Sequence, residues 1–133
     1  MKIFFSSVFT LVIISFLCFC SSSPVELISG TWSLEKLETD QKLSGQQRKA
    51  YDEAMKGLCA NYTITYNKDF TYLTKSEYEQ KGTWSLDGDG ALLIQVGEDG
   101  SKTNCKIEEL TADRLVISSK EGEVTNRMIF KKK

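Results

Sequence analysis

No histidine occurs among the 133 residues. Its absence excludes Ser-His and Cys-His nucleophile pairs and any metal site built on imidazole. The Gly-x-Ser-x-Gly turn of serine hydrolases is missing too. Neither sign of charge dominates: 17 Lys and Arg oppose 18 Asp and Glu, for a net charge of −1. That balance leaves no electrostatic footprint for nucleic acid. Proline occurs once, at Pro24. Cysteine occurs four times, at Cys18, Cys20, Cys59 and Cys105.

Two partial motifs mimic catalytic or metal chemistry. Ser33-Leu34-Glu35-Lys36 has the Ser-x-x-Lys spacing of penicillin-binding enzymes. Those need it on a helix, where residues three apart share a face. Here it falls in a strand pattern, which turns Ser33 and Lys36 to opposite faces. Asp87-Gly88-Asp89, with Glu98 following, mimics the ends of a calcium loop. Ala91 and Leu92 stand where that loop requires a ligand and a glycine. The expectation is therefore a non-enzymatic chain with no catalytic residue, no metal site and no resident cofactor.

What is present starts with an apolar run. Residues 3–19 are apolar apart from Ser and Thr and follow Met1 and Lys2. That is the pattern of an export signal. Leu17-Cys18-Phe19-Cys20 resembles a bacterial lipobox. The resemblance implies a signal peptide over 1–19 and a lipid on Cys20, with Cys18 the alternative position. The mature chain would then be exported and held to a bacterial membrane, the outer membrane first, through acyl chains. An ordinary cleaved signal peptide and an uncleaved anchor are the competing readings. The run is at the short end of what spans a bilayer. Residues 20–28 read as a Ser-rich tether with no structure of its own.

Cutting at Cys20 leaves Cys59 and Cys105 as an even pair in an oxidising compartment. A Cys59–Cys105 disulfide is expected. It would enclose residues 59–105 and contribute roughly 4 kcal/mol in the chain-entropy account. Two buried free thiols are the alternative.

The domain over 29–133 carries a repeated pentapeptide: Gly30-Thr31-Trp32-Ser33-Leu34 returns as Gly82-Thr83-Trp84-Ser85-Leu86. Each copy opens a strand, with Trp and Leu on one face. After the first strand, Ser44 and Gln47 form a capping box for a helix over about residues 44–58. Tyr51, Ala54, Met55 and Leu58 give that helix an apolar stripe expected to face the core. From Ala60 onward the period is two. Strands follow at Tyr62–Tyr66, Phe70–Thr74, Gly82–Leu86 and Ala91–Val96, the last with Leu92, Ile94 and Val96 on one face. Further strands are centred on Cys105, on Leu115 with Ile117, and on Val124–Phe130. Polar turns such as Asp87-Gly88-Asp89-Gly90 separate them. Eight short strands at this spacing predict a mainly β fold. A meander that closes into an eight-stranded antiparallel barrel, with one helix between strands one and two, is preferred to a sandwich.

Gly30-Thr31-Trp32 at the first strand resembles the Gly-x-Trp signature of lipocalins and fatty-acid-binding proteins. The chain from 29 to 133 is similar to the lipocalin-like domains of small bacterial lipoproteins. In lipocalins a basic residue of the last strand packs across the first Trp, and Arg127 is the position that could match. The fatty-acid carriers' Arg-x-Tyr is not repeated, because Arg127 is followed by Met128 and Ile129.

The aromatic set carries the functional expectation. Trp32, Tyr62, Tyr66, Tyr72 and Trp84 can line an amphipathic pocket for a small hydrophobic or amphipathic ligand. They can equally fill the barrel. A filled barrel would act through its surface on an envelope or host protein.

Overall fold

The computed structural model describes residues 23–133. The signal segment, Cys18 and Cys20 lie outside the described residues. Alternating burial along the chain builds eight strands: β1 Gly30–Thr39, β2 Thr63–Tyr66, β3 Thr71–Lys75, β4 Glu79–Asp87, β5 Leu92–Gly97, β6 Lys102–Leu110, β7 Arg114–Glu121 and β8 Val124–Lys132. Each pairs antiparallel with the next, and β1 pairs with β8, so the sheet closes as a barrel. Closure leaves no unpaired strand edge. The expected eight-stranded meander is the observed fold.

Two helices complete it, α1 Pro24–Ile28 and α2 Gly45–Asn61. The α2 N-terminus is the predicted capping box: the Ser44 side chain accepts from the Gln47 amide, and the Gln47 side chain accepts from the Ser44 amide. The meander places α1, the β2–β3, β4–β5 and β6–β7 turns and the C-terminus at one end, the floor. The opposite end, the mouth, carries α2 and the β3–β4, β5–β6 and β7–β8 turns.

One core fills the barrel. Trp32, Leu34, Ile64, Tyr66, Trp84, Leu93, Leu115 and Phe130 are all at most 3% exposed. A one-residue slip of register separates Leu34 from Lys36 in β1 and another separates Ile107 from Glu109 in β6. Each bulge resets the alternation, so Leu34 and Leu37, like Ile107 and Leu110, all pack on the core. Residues 23–133 thus contain a closed barrel with its own core and fold as a unit.

Three expectations need correction. Residues 24–28 are not an unstructured tether. Ser23 caps α1, Pro24 occupies its first turn, and Ile28 is fully buried under the barrel. The apolar stripe of α2 is not buried either. No α2 residue is buried, Ala54 is exposed, and only Leu58 and Cys59 of its last turns pack against the core. The helix contacts β1 at the mouth, and the core that its last turns touch is already filled by side chains of the barrel. In β5, Leu92, Ile94 and Val96 share a face as expected; it is the outer one, and Leu93 is fully buried inside. Finally, Cys59 and Cys105 are free thiols. Cys105 points inward from β6, Cys59 ends α2, which packs beside β1, and β7 and β8 lie between those two strands.

Candidate functional site

The five aromatic side chains of the expected pocket converge. Trp32, Tyr66, Tyr72 and Trp84 enter the core from β1, β2, β3 and β4, and Tyr62 packs against them. Tyr66 sits edge-on to Trp84 at 5.5 Å between centroids and 6.5 Å from Tyr72. Tyr62 lies 6.2 Å from Phe130. Their polar atoms are mostly spent inside the protein. Trp32 Nε1 donates to the Ile28 carbonyl at 2.8 Å, and Trp84 Nε1 donates to the Asn67 carbonyl at 3.0 Å. The Tyr66 hydroxyl donates to Gln95 Oε1 at 3.2 Å. Burial, reinforced by Tyr72 and Cys105 nearby, pushes the Tyr62 phenol up to about 12. Burial also lifts Tyr66 well above its ordinary value. These phenols stay neutral, and the lower barrel is packed with them.

The floor explains the first Gly-x-Trp. Gly30 has φ +124°, and a Cβ there would meet Lys132 Nζ at 2.7 Å. Lys132 Nζ lies 4.4 Å over the Trp32 ring and donates to the carbonyls of Leu27 and Ser29. Burial lowers the Lys132 pKa. The cation on the first Trp is therefore Lys132, not Arg127. Parity decides it: Met128, Phe130 and Lys132 face inward, so Arg127 faces out. There it pairs with Glu108 and with Glu38, which also meets Lys36. Hydrogen bonding first to Glu108 and then to Glu38 raises the Arg127 pKa.

The mouth differs from the floor. Gly82 and Gly97 are register partners on β4 and β5. A Cβ on Gly82 would strike the Val96 carbonyl and come within 2.7 Å of the Tyr72 ring. Tyr72 therefore lies across a notch that two glycines leave in the wall. Its hydroxyl end borders a cleft of about 410 Å³, lined by Gln80, Lys81, Gly97, Asp99 and Ser101 among others. Asp99 Oδ1 accepts from the Ser101 amide at 2.9 Å and from its hydroxyl at 2.6 Å. Those bonds hold the Asp99 carboxyl below its usual range. Burial, and then the Asp99 charge, raises the Tyr72 phenol. The cleft thus presents a neutral phenol donor beside a fixed carboxylate, an amide and an ammonium group.

Of the expected pocket residues, only Tyr72 lines this cleft. Trp32, Tyr62, Tyr66 and Trp84 do not. Gln80, Asp99 and Ser101 were not singled out from the sequence. The available signal was Gly82 and Gly97, which stand where strand residues ordinarily carry side chains. Among the described residues, no group of Cys, Asp and Glu could hold a metal ion.

No curated protein and no solved structure matches the chain. The family model described as a lipocalin-like domain matches residues 28–117. That match begins at the buried Ile28 and runs through Ile117 of β7. With the closed eight-stranded barrel and the Trp32 floor, the chain belongs to the lipocalin-like domain family.

Proposed function

We propose that this protein is a lipid-anchored envelope lipoprotein, non-enzymatic, whose barrel binds a small amphipathic molecule at its mouth. The observation that carries the binding site is the position of Tyr72. Of the five aromatics expected to form the pocket, it is the one that lines this cleft, and polar groups of Gln80, Lys81, Asp99 and Ser101 converge there. The packed aromatics below set a shallow depth. That favours a small ligand with an apolar part against the Tyr72 ring and a polar part toward Asp99 and Ser101. The anchor reading rests on the apolar run, on Cys20, and on the short spacing from Cys20 to the Ser23 cap of α1.

Native mass spectrometry of residues 21–133 from cell extract tests the binding site. A co-purifying small molecule that is lost from Tyr72→Ala supports it. No molecule on the wild type, together with no thermal shift across a metabolite panel, overturns it. Radiolabelled palmitate tests the anchor. Label that disappears in Cys20→Ala supports it, and label that survives that change moves the anchor elsewhere.

A further inference from the structure

The outer wall of the barrel carries apolar residues in two places, and they are treated differently. On β7 and β8, Val116 and Ile129 face outward and are register partners. Both are under 9% exposed. Salt bridges surround them: Glu109 with Arg114, Lys36 with Glu38, and Arg127 with Glu38 and Glu108. On β5, Leu92, Ile94 and Val96 also face outward, and each keeps part of its surface in solvent. Among the described residues, the charges beside this second stripe make no salt bridge.

The register across β4, β5 and β6 is orderly. One row reads Asp87, Leu92, Lys106; the next Ser85, Ile94, Asn104; the next Thr83, Val96, Lys102. Every row places an apolar residue between two polar flanks. The lowest row has an anion on the β4 side and a cation on the β6 side. A two-fold axis parallel to β5 exchanges those flanks between two copies. It sets each Asp87 opposite the other copy's Lys106, each Ser85 opposite Asn104, and stripe against stripe. A self-complementary patch of this kind is what an isologous dimer requires.

We propose that this face, centred on Ile94, is the surface through which two copies of the chain associate. A barrel wall is convex, so only three strands meet their counterparts. These nine positions are fewer than the roughly 20–30 residues per side of a standard interface. The dimer is accordingly weak, with a dissociation constant on the order of 10–100 μM. The Leu92 and Ile94 rows, which carry the charge pair and the centre of the face, do not line the Tyr72 cleft, whereas Val96 and Thr83 border an adjoining cleft that Tyr72 also lines.

Sedimentation equilibrium of residues 21–133 up to about 1 mM tests the dimer. The wild type should dimerise, and Ile94→Lys should stay monomeric with unchanged near-ultraviolet circular dichroism. Asp87→Lys and Lys106→Glu should each weaken the dimer by about tenfold or more, since each sets like charges opposite one another. Mixing D87K and K106E in equal amounts should restore association, because the mixed pair has opposite charges at both contacts. A wild type that is monomeric throughout overturns the proposal. So does I94K dimerising like the wild type, or a mixture no tighter than either variant alone. Flotation of the wild type but not I94K with phosphatidylethanolamine–phosphatidylglycerol vesicles, without dimers in solution, assigns the stripe to a lipid surface instead and also overturns it.

Discussion

Tyr62 shows how one side chain ties stability to pH. Burial is the main cause that raises its phenol from 10.0 to about 12, and Tyr72 and Cys105 add to it. In the unfolded chain the phenol ionises near its ordinary value, while the folded protein keeps the proton. The folded state therefore gains stability that is fully present below about pH 10 and is lost as pH rises through about 12. A shift of that size is worth about 2.7 kcal/mol in full, of which about 2 kcal/mol is lost by about pH 11.5. Urea unfolding at pH 9 and pH 11.5 should show the wild type losing about that much more stability than Tyr62→Phe. Equal losses in the two proteins would refute this origin.

Lys132 and Arg127 show what residue-level reading resolves. A cation on Trp32 was implied by the resemblance of Gly30-Thr31-Trp32 to the lipocalin signature. Its identity turned on strand parity and on the Lys132–Trp32 register, which depends on where β8 pairs with β1. Arg127 instead joins a surface network with Glu38 and Glu108. Exposed pairs of this kind add little to stability.

At the scale of elements, α1 is the part that sequence pattern underrated. It is only five residues long, and so short a helix has no stability alone. Tertiary contact makes it: Ile28 is fully buried, its carbonyl accepts from Trp32, and the Leu27 and Ser29 carbonyls accept from Lys132. Ile28→Ala should cost about 2–4 kcal/mol. Loosening of the floor should also red-shift the tryptophan emission, since Trp32 loses its cover. Normal stability with unshifted emission would mean that α1 is dispensable. The Ser23-Pro24 cap was the available signal for this helix. For α2 the position was legible from the Ser44–Gln47 capping box, but its packing was not. An apolar stripe predicts that a helix docks, and says nothing of whether the barrel has room for it.

For the whole molecule, closure takes the place of a covalent staple. Cys59 and Cys105 are free thiols, and burial raises both of their pKa values. Stability should come from the core and from the β1–β8 seam. Melting of residues 21–133 should therefore be the same with and without reductant, and an unfolded sample should titrate two thiols. A drop of several degrees on reduction would restore the disulfide reading. Cys59, half-buried, should react before the buried Cys105.

The sequence by itself determined the number of strands, their order, the capped helix and the inward placing of Trp32, Tyr66, Tyr72 and Trp84. Those features follow from local periodicity and turn chemistry, which a short window carries. Tertiary structure alone decided which face of β5 points inward, since Leu92, Leu93, Ile94 and Val96 are apolar on both sides of the wall. It also decided that the aromatics fill the lower barrel and that Tyr72 is the one at an open cleft. Those outcomes depend on volume and on register between strands distant in sequence. The repeated Gly-Thr-Trp-Ser-Leu shows the division well. Both copies place a Trp in the core, yet Gly30 accommodates Lys132 through a positive φ, whereas Gly82 makes room for the Tyr72 ring.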